Sequence, residues 1–220
     1  MKAIPELSEL GIHVLFDESD VMKASVIIIG PKDTPYENGI MYFSVQFPVD
    51  YPFSPPQIHY VSTSRLRIHP NLYVGKSHVN FRGKVCLSII NTWSGPKWVT
   101  TMDLRCVLLS IQSLLCNKAI THEPGYDKSH PKVIETYNDI IQYETFRHLI
   151  LLNRVPFDKS FQGFKETIQT HLGNSREDIL KRLDGACQKY PHKTVLFLKL
   201  YGISLSMDYP SLRKKMLSVM

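Results

Sequence analysis

The stretch VMKASVIIIGPKDTPYENGIMYFSVQFPVDYPFSPPQIHYV, residues 21–61, decides the fold class. It begins with a β-branched run, residues 21–29, closed by Gly30-Pro31, which reads as a strand followed by a turn. Residues 41–47 (MYFSVQF) alternate between two faces and stop at Pro48, predicting a second strand. Residues 57–61 form a third short strand after the Pro55-Pro56 break. Strands joined by short turns pair as antiparallel neighbours, so a meander sheet is expected. Tyr36, Pro52, Pro55 and Pro56 read as punctuation of the fold rather than as chemistry.

Downstream the period changes. Leu104, Val107, Leu108, Ile111, Leu114 and Leu115 recur at helical spacing, with Thr100 or Thr101 as the expected N-cap. A second helix is predicted from Pro131, with Val133, Tyr137, Ile140 and Ile141 on one face. Strands followed by helices give an α+β class, with helices on one face of the sheet. Beyond residue 152, Phe161, Phe164, Ile168 and Leu172 form an apolar stripe that Gly173-Asn174 ends. Ser175-Arg176-Glu177-Asp178 resembles a capping box for a further helix carrying Leu180, Leu183, Cys187 and Tyr190. Pro210 opens a terminal segment with Leu212, Met216 and Leu217 on one side. Stripes of this size need a surface to cover them, so residues 153–220 are expected to pack as helices on a core of residues 1–152.

Composition narrows the classes. Of 220 residues 43% are hydrophobic and 21% charged, as in a globular chain with a real core. No apolar run reaches the ~18 residues of a membrane span. The opening Met1-Lys2-Ala3-Ile4-Pro5-Glu6 lacks the apolar region of a secretory signal, so a cytoplasmic or nuclear location is expected. The net charge of +6 is read as scattered solvated lysines, because no block of five like charges occurs. The nine histidines show neither HxxxH nor HExxH spacing, and no metal, cofactor, nucleic-acid or membrane partner is expected. Four cysteines, Cys86, Cys106, Cys116 and Cys187, show no disulfide framework and no CxxC pair. Cys106 and Cys116 lie in the amphipathic stretch and are expected to be buried thiols.

Cys86 differs. It lies in Gly83-Lys84-Val85-Cys86-Leu87-Ser88, behind His69-Pro70-Asn71 and ahead of Trp93. Together with Gly30 to Gly39, Tyr51-Pro52-Phe53-Ser54-Pro55-Pro56, the run GKVCLSIINTWSGPKW at 83–98, LLSIQSLL at 108–115, and His122-Glu123-Pro124-Gly125, this resembles the ubiquitin-conjugating enzymes. The loop NTW-x-GP-x-W and the EPG motif point to the Z-type branch, which carries a C-terminal helical extension. The resemblance implies the ubiquitin-conjugating fold and a transferase that holds ubiquitin or a ubiquitin-like modifier as a thioester on Cys86. It also implies an activating enzyme, ubiquitin ligases and substrate lysines as partners, and a monomer. Asn71 matches the family asparagine that stabilises the oxyanion, a role worth ~10²–10³ in rate; its alternative is to hold its loop through backbone hydrogen bonds. Glu123 falls near the family's lysine gate, with a surface carboxylate as the alternative. His69 matches a structural position, Tyr60 an aromatic that relatives present to ligases, and Ser88 stands where many relatives have Asp.

The chain departs from the family in three places. Residues 3–10 leave room for a short N-terminal helix at most, residues 75–81 read as an insertion between Asn71 and Cys86, and Val99-Thr100-Thr101 replaces a common Ser-Pro-Ala. Two other classes compete. One is a catalytically impaired binding module on the same fold; the other is a cysteine hydrolase, which fits poorly because neither QACxG nor CGSCW surrounds Cys86.

Overall fold

The computed structural model describes residues 5–75 and 81–219. After a short helix α1 (Pro5–Glu9), five strands form one antiparallel sheet in chain order: β1 (Ile12–Phe16), β2 (Lys23–Ile29), β3 (Ile40–Gln46), β4 (Gln57–Val61) and β5 (Arg82–Lys84). The meander is therefore as expected, with β1 and β5 added at its edges; the insertion expected at 75–81 lies mostly outside the described residues. Gly30 closes the β2–β3 connection because a Cβ there would come within 1.8 Å of the Tyr36 carbonyl oxygen. Tyr36 is fully buried and its hydroxyl donates to the Ile68 carbonyl at 2.6 Å.

Pairing in register, Val26 opposite Phe43 and Ile27 opposite Tyr42, sends alternate residues to opposite faces. Val26, Ile28, Met41, Phe43, Ile58 and Tyr60 enter a first core, closed by α2 (Leu104–Leu114) and α3 (Pro131–Glu144). Ile27, Ile40, Tyr42 and Val61 enter a second core on the other face, with Phe161, Phe164, Ile168 and Leu172 of the extension. The unbroken run Val26-Ile27-Ile28 thus has its explanation: a strand covered on both faces does not alternate.

The extension comprises α4 (Lys165–Asn174), α5 (Arg176–Lys189), β6 (Thr194–Leu198), β7 (Ile203–Met207) and α6 (Tyr209–Leu217). Its helices belong to the second core, where Ile179, Leu183, Tyr209, Leu212 and Met216 are buried. The β6–β7 hairpin, which has no counterpart in the sequence reading, instead lies along α3 and adds Leu198 and Ile203 to the first core. Polar ties fix the two parts together. Tyr42 donates to the Asn153 carbonyl and the Asn153 amide donates to the Ile40 carbonyl, both at 2.7 Å. Arg182 donates to the carbonyls of Glu37 and Thr34 at 3.0 and 3.1 Å, and Lys189 meets Asp139 at 2.8 Å.

Several local expectations are corrected. The N-cap of α2 is Asp103, not Thr100 or Thr101: its carboxylate accepts from the Cys106 N–H at 2.9 Å, directly before the first apolar residue of the stripe. Ser175 makes no side-chain cap, because at φ −95° and ψ 4° it stays near helical geometry and its own N–H bonds back to His171. Cys106 is exposed, since it falls opposite the Leu104–Val107–Ile111 stripe, and Cys116, past the end of α2, is half-buried. Tyr60 is buried against Phe43 and cannot present its ring to a partner.

Candidate active site

The sequence between His69 and Cys86 folds back on itself. Leu72 bridges both His69 and Val85, the Tyr73 N–H donates to the Lys84 carbonyl at 2.9 Å, and the Cys86 N–H donates to the Asn71 carbonyl at 2.8 Å. This short ladder requires Gly83, where a Cβ would come within 1.7 Å of the Tyr73 carbonyl oxygen. The Asn71 side chain completes it by donating from Nδ2 to the Cys86 carbonyl at 2.7 Å. One amide hydrogen is thereby spent on the loop and the second is left for another acceptor.

His69 explains how the asparagine is held. Its Nδ1 accepts from the Asn71 N–H at 2.9 Å, so the neutral ring carries its proton on Nε2 and donates to His122 Nδ1 at 3.1 Å. Burial, with the His122 and Arg67 charges adding to it, pushes the His69 pKa down to about 3. The ring is therefore a neutral strut between Asn71 and the loop carrying Glu123, as a structural reading expects. With both nitrogens engaged, it is no base for Cys86, which counts against a hydrolase.

On the other side of Cys86, the Thr92 hydroxyl accepts from the Leu87 N–H at 2.8 Å and donates to the Val85 carbonyl at 2.7 Å. Trp98 is buried, its indole N–H donating to the Pro52 carbonyl at 2.8 Å, whereas Trp93 is exposed. The NTW-x-GP-x-W loop is thus pinned at its second tryptophan. Ser88 begins a single 3₁₀ turn after the cysteine, with Gly95 against its Cβ.

Cys86 itself is 2% exposed, with its sulfur set into the loop rather than standing open on the surface. Burial pushes its thiol pKa up, while Lys84 and Arg67 pull it down and Glu123 adds to the rise. Arg67, Lys84 and Glu123 are thus the charges around the sulfur. Glu123 is no free surface carboxylate: Tyr201 of the extension donates its hydroxyl to Oε2, and Arg67 approaches the same oxygen at 3.9 Å. Arg67, Tyr73, Thr92, His122 and Tyr201 are site residues that sequence reasoning missed. No spacing rule links Tyr201 to a carboxylate 78 positions earlier. Among the described residues no group of His, Cys, Asp and Glu could hold a metal ion.

The fold agrees with comparison to known proteins. The profile of the family described as ubiquitin-conjugating enzyme matches residues 1–143, and the chain belongs to that family. It is 40% identical over 140 residues to ubiquitin-conjugating enzyme E2 Z of Homo sapiens, covering 62% of this chain and 38% of that protein. The probable ubiquitin-conjugating enzyme protein 17 of Caenorhabditis elegans is 38% identical over 191 residues, covering 82% of this chain and 25% of that protein. The putative ubiquitin-conjugating enzyme E2 39 of Arabidopsis thaliana is 36% identical over 195 residues, covering 86% of this chain and 54% of its own. The last two matches reach into the extension. The chain spans 40% or less of the length of the E2 Z proteins of zebrafish, human and rat that it matches.

Proposed function

We propose that this chain accepts ubiquitin or a ubiquitin-like modifier from an activating enzyme as a thioester on Cys86 and transfers it to a lysine amine, directly or with a ligase. The observation that carries the reading is the ladder joining Asn71 to Cys86, with the Asn71 amide 2.7 Å from the cysteine carbonyl. In loading, the Cys86 thiolate attacks the incoming thioester carbonyl and the activating enzyme's thiolate leaves. In discharge, an amine attacks the new thioester, and the spare Asn71 N–H supports the negative oxygen of the tetrahedral intermediate. Ubiquitin or a relative, its activating enzyme and ligases are the proposed partners, and the four unpaired cysteines support work in the cytoplasm or nucleus.

The test is a gel shift of the purified chain with activating enzyme, ubiquitin and ATP, with and without thiol reductant. A reducible adduct is expected for the wild type and for Cys106→Ser, and none for Cys86→Ser. A reducible adduct surviving in Cys86→Ser sinks the assignment. The burial of Cys86 favours a second reading, a binding module on the same fold, and the absence of any adduct on wild-type protein establishes that reading instead.

A further inference from the structure

The C-terminal hairpin ends in an unusual turn. Tyr201 has φ +60° and Gly202 φ +59°, and a left-handed conformation is rare for an aromatic residue. The turn aims the Tyr201 ring at the Cys86 neighbourhood rather than at the helices of the extension. Its hydroxyl donates to Glu123 Oε2, and the Arg67 guanidinium lies between the rings of Tyr73 and Tyr201, 3.7 and 4.5 Å from their centroids. Arg67 in turn donates to the Pro70 carbonyl, one residue before Asn71, and its own carbonyl accepts from Tyr137 of α3 at 3.0 Å. The contacts therefore run without a break from the extension to the asparagine bound to Cys86. Backbone held in a sparsely populated region at such a junction is a feature of functional sites.

We infer that Tyr201 is a positioning residue for the transfer step, which makes the extension part of the active site: it anchors one oxygen of Glu123 so that the other receives the acceptor lysine. This deepens the proposed function and rests on it. Oε2 is taken by Tyr201 and neighboured by Arg67, while Oε1 has no hydrogen-bond partner among the described residues. The Glu123 side chain keeps 24% of its exposure, so an amine can reach it. Burial and the bond to Glu123 raise the Tyr201 pKa, which keeps the phenol protonated and donating. An incoming lysine ammonium gives one proton to Oε1. The neutral amine then forms a C–N bond at the thioester carbonyl, the C–S bond breaks, and the second amine proton goes to the departing Cys86 thiolate. The titratable and charged groups around Glu123 are Arg67, Tyr73, Tyr137, His122, Cys86 and Tyr201. Burial holds His122 neutral at the pH of the test.

The experiment is single-turnover discharge of preloaded thioester to free lysine, comparing wild type, Tyr201→Phe, Glu123→Gln and the double variant from about pH 7 to pH 9.5. Phenylalanine keeps the ring over Arg67 and removes the hydroxyl. Discharge by Tyr201→Phe is expected to fall about 10-fold at pH 7, the worth of a hydrogen bond to a charged group. The loss is expected to shrink toward about pH 9.5, as free lysine with its ordinary pKa of ~10.4 supplies more neutral amine unaided. In the Glu123→Gln background, Tyr201→Phe is expected to add nothing. Three results overturn the inference: discharge by Tyr201→Phe equal to wild type, a loss of the same size at every pH, or a full further loss in Glu123→Gln. If wild-type protein forms no reducible adduct, the proposed function itself fails and takes this inference with it.

Discussion

The two faces of the central sheet are covered by different means. On the first, every inward position of β2 and β3, from Ala24 and Val26 to Phe43 and Val45, is apolar and buried under α2 and α3. The second is divided along its strands. Ile27, Ile40, Tyr42 and Val61 are buried under the extension, whereas Ser25, Ser44, Gln46, Gln57 and His59 line an open polar groove. The difference teaches where the extension ends. A strand read as continuous apolar marks the part of the second face that another element covers, and a return to alternation marks the part that faces water.

Removing the cover is the harshest way to break this comparison. Truncation after Leu152 deletes Phe161, Phe164, Ile168, Ile179, Leu183, Tyr209 and Met216 from the second core and leaves Tyr42 without its Asn153 partner. The shortened chain is expected to aggregate or to melt more than about 10 °C lower. A scan within a few degrees of wild type would show that the extension adds little to the fold.

A single substitution sharpens the same contrast. Phe161, 1% exposed and 4.7 Å from Tyr42 between ring centroids, is expected to cost about 3–5 kcal/mol as Phe161→Ala. Ser44→Ala, on the open half of the same face, is expected to change stability by less than about 0.5 kcal/mol. Urea titrations of both variants decide it, and equal losses would erase the distinction between the halves.

Acid probes both sides at once. Burial lowers the His69 pKa from 6.5 to about 3 behind the site, and that of His148 from 6.5 to about 4 near the second core. Both rings stay neutral in the folded chain and take a proton when it unfolds. The unfolded state thus binds more protons below pH 6.5, and stability present above 6.5 is lost as pH falls toward 4 and 3. Each histidine is expected to cost up to about 1.4 kcal/mol per pH unit in that window. Melting curves at about pH 7 and pH 5 test it, and an unchanged melting temperature would mean that water reaches both rings.

Much of the fold is legible in the sequence. The strands of residues 21–61 form where β-branched runs and proline stops place them, and α2 and α3 follow their apolar spacing, because each is written in neighbouring residues. Asn71 and Cys86 stood out through motifs on one short segment. The caps were less legible: Thr100, Thr101 and Asp103 are all good N-cap residues, and their choice depends on where the chain enters the first core. The hairpin is not legible in the sequence because β6 and β7 are short, and Val195 and Phe197 face solvent.

By itself, then, the sequence determined the class of fold, the loop that carries the cysteine, and the existence of apolar stripes after residue 152 that had to be covered. Tertiary structure decided what those stripes cover, the burial of Cys86, and the meeting of Tyr201 with Glu123. The physical reason is range. Periodicity, capping and turn chemistry act over a few residues along the chain, whereas burial and a hydrogen bond across 78 positions exist once packing brings distant segments together.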